Sequence, residues 1–381
     1  MQSIFEAQYK DIRDMVAKFA DSEVAPLATS IDHDQKIPDG LINKLFENGF
    51  MGSYIPEEFG GAGMDYSSYA IIVEEISRAC ASTGVLVSAH TSLCLWPILN
   101  FGTEDQKKKY LPGLASGGDV GCFCLSEPNA GSDPGTLATF AEDLGDYYEI
   151  SGTKNFITNG KDAKIAIVLA KTTKTNDHKG ITAFIVETNT LGFSVQKLED
   201  KLGIKGSSTA QIWLNKVRVP KANILGVVGK GFSVALATID GGRIGIAAQA
   251  LGIAEAAFRY AKKYSLQRIQ FGKPISELQA IQFILADMST KIAASRLLVM
   301  NASYLKDNKL PYTKEAAQAK LFASESCMSI TTKAIQVLGG NGYCKEYPVE
   351  RYFRDAKITE IYEGTSEIQR IVIAANELKE V

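Results

Sequence analysis

The chain has 381 residues, of which 45% are hydrophobic and 22% are charged, and its formal net charge is −2. That length predicts two or three domains, and the composition is typical of a soluble globular enzyme. The near-neutral charge, without any basic stripe along the sequence, argues against a nucleic-acid-binding protein.

The N-terminal sequence, MQSIFEAQYKDIRD, is charged from its start and predicts an amphipathic helix. It has neither the apolar segment of a signal peptide nor an Arg- and Ser-rich leader, so we expect no export signal and no presequence. No stretch approaches the roughly 18 uninterrupted apolar residues of a membrane span, so we expect no membrane association. These features favour a cytoplasmic bacterial protein, or a protein of the mitochondrial matrix if a presequence has been removed.

Six cysteines are scattered along the chain, which carries only three histidines. Cys122 and Cys124 stand one residue apart in an apolar run, which suits buried thiols on a strand better than metal ligands. In a chain of this size the pattern is typical of reduced intracellular thiols. We therefore expect no metal site and a reducing compartment.

Residues 1–119 are predicted to form an N-terminal α-helical domain. Apolar residues recur at steps of three and four from Phe5 to Phe19. After the glycine-rich loop 56–63, a long apolar helix is expected from Ser67 to Ala79, and another follows through Leu99.

Residues 120–222 are predicted to form a middle β domain, a barrel or a sandwich. Short β-branched or apolar runs alternate there with Gly, Asn and Asp, as strands alternate with turns. The runs are 121–125, 147–150, 165–170, 182–186, 193–197 and 211–219.

Residues 223–381 are predicted to form a C-terminal four-helix bundle. Long segments rich in Ala, Leu and Gln, with few breakers, are expected to be its antiparallel members. They are 242–267, 277–306 and 313–338. The order helical, β, helical predicts an α+β fold.

Two segments of the β domain are candidates for ligand binding. LSEPNAGSD (125–133) ends a strand in small and hydroxyl-bearing residues, whose N–H and O–H groups can approach a flat ligand or a phosphate closely. In GTKNFITNG, Phe156 and Thr158 lie two residues apart and face the same side of a strand, where a ring and a hydroxyl donor can contact a flavin. A surface turn and an ordinary strand are the alternatives.

Glycines and arginines of the helical part are candidates for phosphate binding. DGGR (240–243) is expected to open a bundle helix that Arg268 ends, and arginines beside glycines at helix ends suit phosphates. The segment QVLGGNG (336–342) offers a glycine-rich turn for a diphosphate. Solvated or ion-paired arginines, and a simple glycine cap of the helix, are the alternatives.

The segment IYEGTSEIQR (361–370) carries a carboxylate, Glu363, in aromatic and apolar surroundings just before a new helix. Such surroundings raise the pKa of a carboxyl group, which suits a general base that acts on carbon acids. The structural alternative is a helix start that Thr365 or Ser366 caps, with the acidic residues favouring its positive end. Both interpretations can hold together.

Taken in order, these five segments resemble those of the acyl-CoA dehydrogenase family, and the resemblance covers practically the whole chain. It implies an FAD-dependent enzyme that desaturates an acyl-CoA between its α and β carbons. It also implies a short acyl chain, because the stretch 80–97 and the DGGRIG segment are most similar to butyryl-CoA dehydrogenases. Leu86, Val87 and His90 then lie where the acyl tail ends, although a lone histidine on a helix is more often a packing residue.

The resemblance implies a role for each matching residue. Glu363 matches the base that takes the α proton. The residues that match FAD contacts are Leu125, Ser126, Phe156, Thr158, Arg268, Phe271, Gln336, Gly339, Gly340, Thr365 and Glu367. The residues that match acyl-CoA contacts are Ser132, Asp240, Arg243 and Gly364. Phe156 stands where many relatives have Trp, so the ring is kept.

The position of the base separates branches of the family. Relatives that resemble isovaleryl-CoA dehydrogenase carry the catalytic glutamate just before the bundle-helix arginine, where this chain has Gly242. Here the later loop carries Glu363, which is the arrangement of the short- and medium-chain members.

Partners follow from the same resemblance. The segments around Arg268 and Gln336 typically reach the flavin of a neighbouring subunit in this family, which implies a homotetramer built as a dimer of dimers. The implied electron acceptor is an electron-transferring flavoprotein. Two alternatives stay open: an enoyl-CoA or acryloyl-CoA reductase of the same fold, and a catalytically silent subunit that binds flavin or acyl-CoA.

Overall fold

The computed structural model describes residues 7–174 and 178–379. Phe5, in the first predicted helix, lies outside the described residues. Helices come first along the chain, a sheet follows, and long helices complete it. The N-terminal helices are α1 Lys10–Phe19, α2 Ala28–Asp34, α3 Asp39–Glu47, α4 Tyr66–Ala79, α5 Ala81–Ala89, α6 Trp96–Phe101 and α7 Glu104–Ala115.

Side-chain caps fix the starts of two of these helices. The Asp65 carboxylate accepts a hydrogen bond from the Ser68 N–H at the start of α4. Thr103 and Gln106 form a reciprocal capping box at the start of α7. Helix α4 is buried almost all round, because it packs between the other N-terminal helices and the long C-terminal ones.

The apolar helical stretch Ala81–Phe101 is long enough to cross a membrane by length and composition. Of its most apolar window, 72% is buried inside the protein. A core helix of a globular domain meets the same criterion, so this stretch is weak evidence for a membrane span.

The middle part of the chain forms one eight-stranded sheet. The strands are β1 Val120–Cys124, β2 Phe140–Asp143, β3 Tyr147–Thr158, β4 Ala163–Lys171, β5 Ile181–Glu187, β6 Phe193–Leu198, β7 Thr209–Pro220 and β8 Ile224–Leu225. Their order in the sheet is β6-β7-β3-β2-β4-β5-β8, and β1 pairs in parallel with β4. The central strand β4 is buried on both faces, because its alternating residues enter two different hydrophobic clusters.

Three long helices and two shorter ones make up the C-terminal part. They are α8 Gly231–Gln267, α9 Gln279–Asp307, α10 Thr313–Leu338, α11 Val349–Ile358 and α12 Ser366–Glu377. Helices α8, α9 and α10 pack against one another, and α11 and α12 pack on α10. A short hairpin, Ile269–Gln270 with Lys273–Pro274, follows α8.

The expectation that DGGR (240–243) opens a helix is wrong. Helix α8 begins at Gly231 and runs through both glycines to Gln267. Each interior glycine costs a helix about 1 kcal/mol relative to alanine. The helix continues because neighbouring groups occupy the space beside Gly241 and Gly242, so that packing outweighs propensity.

Candidate active site

Glu363 lies in the loop between α11 and α12, in the left-handed backbone region with φ +53°. The residue is partly accessible, but its Oε2 is buried and makes no hydrogen bond within the described part of the chain. Burial raises the pKa of Glu363 to about 7, against the opposing charges of Lys320 and Arg243. A buried, unpaired carboxyl group that titrates near neutral pH is suited to general base catalysis.

Gly242 of α8 makes the room that this carboxylate occupies. A Cβ atom built on Gly242 would lie 1.8 Å from Glu363 Oε2 and 2.9 Å from Leu93 Cδ2. No side chain fits there while Glu363 keeps its place. The glycine before the helix arginine and the glutamate of the later loop are therefore two parts of one arrangement.

Arg243 is buried inside α8, whereas the sequence predicted an arginine at a helix end. Its Nη1 donates to Asp240 Oδ1 at 2.5 Å, and Thr313 Oγ1 donates to Asp240 Oδ2 at 2.7 Å. Arg243 Nε is buried without a hydrogen-bond partner among the described residues. The guanidinium is thus held as a buried cation near Glu363, whose pKa it lowers.

An aromatic wall stands beside Gly241. The Tyr66 hydroxyl donates to the Gly241 carbonyl at 2.8 Å. Lys306 Nζ lies 3.8 Å from the ring centroid of Tyr66 and 4.5 Å from that of Trp96, and it makes no hydrogen bond within the described ranges. Burial lowers the pKa of Lys306 to about 7, so this amine is only partly protonated at neutral pH.

Tyr362 fixes the other side of the catalytic loop. Its hydroxyl donates to Gln249 Oε1, and Gln249 Nε2 donates to the Ala81 carbonyl at 3.0 Å. Gln249 is fully buried. This chain of hydrogen bonds ties the loop to α8 and α5, so the floor of the site is built from three distant segments.

Leu125 and Ser126 meet the strand that carries Phe156. The Asn155 N–H donates to the Ser126 carbonyl at 2.8 Å. A bulge interrupts the pairing of β3 with β7, and Phe156 adopts φ +56° there, so simple alternation does not describe this stretch. The Phe156 ring is 64% exposed, and Thr158 is partly exposed. An exposed aromatic ring at this position fits a flat aromatic ligand.

A buried ion pair supports this surface. Lys154 Nζ donates to Glu127 Oε1 at 2.7 Å and to the Leu125 carbonyl at 3.1 Å. The Glu127 carboxylate also accepts from the N–H groups of Ala138 and Thr139. Burial alone would raise the pKa of Glu127, but Lys154 and these donors outweigh it and lower the pKa.

Ser132 lies on the exposed part of the same loop, at residues 131–133. His90 is fully buried and has two backbone partners: its Nε2 lies 2.9 Å from the Leu114 carbonyl, and its Nδ1 accepts from the Gly121 N–H at 2.9 Å. Burial lowers the pKa of His90 to about 4, so it is neutral and packs between α7 and β1.

The remaining candidate FAD contacts divide into two groups. Thr365 caps α12 by accepting from the Ile368 N–H, and Glu367 lies exposed in its first turn. The second group is exposed at the surface, and its members are Arg268, Phe271, Gln336, Gly339 and Gly340. Arg268 directly follows α8, and the 25 residue steps from Arg243 to Arg268 correspond to about 37 Å of helix. Phe271 is 89% exposed, and Cβ atoms built on the two glycines would meet nothing within 4 Å.

Buried polar residues are what the sequence interpretation missed. Lys320 and Gln369 are fully buried behind the catalytic loop, and Lys154 is fully buried under the Phe156 bulge. One signal was present for Lys320. It falls on the apolar stripe of α10, between Ala316 and Ala323 at helical spacing, where a charged residue is unusual.

Comparison with known proteins covers the whole architecture. Family models described as the N-terminal, middle and C-terminal domains of acyl-CoA dehydrogenase match residues 6–118, 122–217 and 229–378. The chain is 51% identical over 368 residues to the short-chain specific acyl-CoA dehydrogenase, mitochondrial, of Bos taurus, covering 97% of this chain and 89% of that protein. It is also 51% identical over 363 residues to the short-chain specific acyl-CoA dehydrogenase of Clostridium acetobutylicum, covering 95% and 96%.

Solved structures give the same picture. A structure described as an electron transferring flavoprotein of Acidaminococcus fermentans contains a chain that matches with a TM-score of 0.96 and 49% identity, covering 97% of each chain. Butyryl-CoA dehydrogenase from Megasphaera elsdenii matches with a TM-score of 0.95 and 47% identity, also covering 97% of each. An acyl-CoA dehydrogenase from Bacillus anthracis complexed with FAD matches with a TM-score of 0.92 and 34% identity, covering 98% of this chain and 67% of that one.

Proposed function

Because the chain belongs to the acyl-CoA dehydrogenase family, we propose that it is an FAD-dependent enzyme that oxidises a short-chain acyl-CoA to the trans-2-enoyl-CoA. The observation that carries the proposal is the buried, unpaired Glu363 carboxylate over Gly242. Two short-chain specific relatives at 51% identity support the chain length.

Glu363 is the base that removes the α proton. Because the pKa of Glu363 is raised, it lies closer to the pKa of the α carbon acid than the pKa of an ordinary carboxyl group does, and Glu363 is a stronger base. The negative charge that then develops on the thioester oxygen needs hydrogen-bond donors. Within the described residues, the Glu363 N–H donates to no acceptor, so it is free for this purpose. One such donor contributes about 3 kcal/mol to transition-state stabilisation.

FAD, when bound, supplies the acceptor for the hydride that leaves the β carbon. Leu125, Ser126, Phe156 and Thr158 are the residues that would hold its ring system, and the exposure of the Phe156 ring and of Thr158 fits that role. The ion pair of Glu127 and Lys154 keeps the two segments together. The protein therefore contributes position and electrostatic field.

Ser132, Asp240, Arg243 and Gly364 are the proposed acyl-CoA contacts. Asp240 and Arg243 form an ion pair with one another, which fixes the position of both side chains before the substrate binds. Gly364 contributes backbone next to the base, where its φ of +91° requires a residue without a side chain.

The distant candidate residues support an oligomer. Arg268 follows α8, about 37 Å of helix away from Arg243. At that distance it is too far from Glu363 and Arg243 to bind the FAD that lies beside them. We therefore assign Arg268, Phe271, Gln336, Gly339 and Gly340 to the FAD of a neighbouring copy, in a homotetramer built as a dimer of dimers. Thr365 and Glu367 remain with the chain's own FAD.

The proposed electron acceptor is an electron-transferring flavoprotein, in line with the Acidaminococcus fermentans structure. The proposed compartment is the bacterial cytoplasm, or the mitochondrial matrix, because the similar proteins include both a bacterial one and a mitochondrial one. We propose no membrane and no nucleic acid among the partners.

An anaerobic titration of the FAD-loaded protein with saturated acyl-CoAs from propionyl to octanoyl tests the proposal. We expect rapid bleaching of the flavin, fastest with butyryl-CoA. A maximum at a longer or branched chain would keep the dehydrogenase and discard the substrate. If the flavin stays oxidised with every acyl-CoA, a reductase or a silent binding subunit replaces the proposal.

A further inference from the structure

The backbone that carries the base is held in an unfavourable conformation. Glu363 and Gly364 both adopt positive φ values, +53° and +91°. A residue with a side chain rarely adopts the left-handed region, and it stays there only when its surroundings fix it. The groups that fix this loop therefore matter for where the base points.

Two buried side chains bind the carbonyl groups of this loop. Lys320 Nζ donates to the Gly364 carbonyl at 2.6 Å. Gln369 Nε2 donates to the same carbonyl at 2.8 Å and to the Glu363 carbonyl at 3.2 Å. Lys320 and Gln369 are both fully buried. Three hydrogen bonds from side chains of α10 and α12 thus hold both carbonyls of the loop.

A neutral donor would have satisfied the Gly364 carbonyl, yet the residue is a lysine. Burial lowers the pKa of Lys320 to about 8, while the nearby Glu363 raises it and Arg243 lowers it further. In return, Lys320 lowers the pKa of Glu363, which burial has raised. The cation therefore keeps the base ionisable in a site that disfavours charge.

Other charged and titratable groups face this pair from each packed element. Arg243 of α8 acts on both Lys320 and Glu363, and Glu360 and Glu367 act on Lys320. Those that face Glu363 from α4 and from its own loop are Tyr66, Tyr69 and Tyr362, whose pKa values are all raised by burial, so they stay neutral near pH 7. Lys320 and Arg243 are thus the two cations that favour the carboxylate.

We propose that Lys320, with Gln369, is a positioning residue that holds the Glu363–Gly364 backbone and supplies the positive charge that keeps the base ionised. Lys320 acts through the Gly364 carbonyl and through its field. The proposal rests on the proposed function, in which Glu363 is the base.

Three variants separate the two contributions. Lys320→Met removes both the donor and the charge, Lys320→Arg keeps both, and Gln369→Met removes two of the three hydrogen bonds without changing charge. Lys333→Met is the matched control, because Lys333 lies exposed on the same helix. FAD content and thermal unfolding are measured for each, followed by anaerobic flavin bleaching with butyryl-CoA against pH.

We expect Lys320→Met to lower kcat by about 10²-fold with little change in KM. The midpoint of the pH dependence of flavin bleaching should rise by at least about one pH unit in this variant, since the loss of a neighbouring opposite charge raises a carboxyl pKa by roughly 1 to 3 units. Gln369→Met should lower kcat without moving the pH midpoint. Lys320→Arg should have a kcat and a pH midpoint between those of Lys320→Met and those of the unaltered protein. Unchanged kcat and pH midpoint in an FAD-loaded Lys320→Met protein would overturn the proposal.

A measurement without substrate separates this proposal from the proposed function. Infrared titration of the carboxyl C=O band in the FAD-loaded, substrate-free protein, assigned with Glu363→Gln, gives the pKa of Glu363 directly. The band should titrate near pH 7 in the unaltered chain and higher in Lys320→Met, even if no acyl-CoA bleaches the flavin. If Lys320→Met does not fold, Gln369→Met decides, and a normal kcat in that variant refutes the positioning role.

Discussion

Replacing Gly242 by alanine is expected to displace the base without weakening the helix. The new Cβ would lie 1.8 Å from Glu363 Oε2, whereas ordinary van der Waals contact begins at 3.4 Å. The carboxylate oxygen therefore has to retreat by about 1.6 Å, the difference between these two distances. Alanine is a better helix former than glycine by about 1 kcal/mol, so α8 itself gains from the change.

The magnitude follows from the geometry of proton transfer. A misplacement of about 1 Å at a reacting group can cost 10²-fold in rate. We expect kcat of Gly242→Ala to fall by at least about 10²-fold, which corresponds to about 2.7 kcal/mol of activation free energy. FAD content should be unchanged, because the atoms nearest to a Cβ on Gly242 belong to Glu363 and Leu93, which are not proposed flavin contacts.

Stopped-flow bleaching of the flavin by butyryl-CoA under anaerobic conditions measures the effect. Gly241→Ala is the matched control, since its new Cβ would lie 2.3 Å from Lys306 Nζ and 3.1 Å from the Tyr66 hydroxyl oxygen, and neither group is the base. Its loss should be far smaller. A double variant, Gly242→Glu with Glu363→Gly, should be more active than Glu363→Gly alone, because a glutamate at position 242 can place its carboxylate where that of Glu363 lies. A Gly242→Ala protein with full FAD and near-normal kcat would refute the reasoning.

Three further predictions concern other parts of the site. Glu363→Gln should retain FAD and bind acyl-CoA, yet its flavin should not be bleached. In the unaltered enzyme, kcat/KM should fall as the pH drops through about 7, because only the carboxylate form of Glu363 accepts the proton. Turnover by the variant, or a flat pH profile of the unaltered enzyme, would contradict the assignment of the base. Arg268→Ala should lose FAD on dialysis, measured by absorbance, with Lys333→Met as the control, and a fully flavinated variant argues against a role in binding the diphosphate. Lys154→Met should lower the free energy of unfolding by about 3–5 kcal/mol in urea denaturation, because it leaves the Glu127 carboxylate buried without its cation, and a loss below about 1 kcal/mol would show that the pair is not buried in solution.

Much of the fold follows from local patterns. The Ala-, Leu- and Gln-rich composition with few breakers predicted helix 313–338 to the residue, and the short apolar runs between Gly, Asn and Asp located most strands of the sheet. The beginning of α8 was missed because glycine signals a break, and only contacts with Lys306 and Glu363 explain why the helix continues. Propensity describes an isolated helix, and packing overrides it here.

The sequence alone determined the order of the motifs and the assignment of Glu363 as a candidate base. Both depend only on neighbouring residues and on the similarity of short segments, which can be read from the sequence. Tertiary structure decided which groups act together. Gly242 and Glu363 meet although 120 residues separate them, and Lys320 and Gln369 converge on one carbonyl from two helices. Burial creates the shifted pKa of Glu363 and the need for a buried cation, and burial is a property of the packed chain.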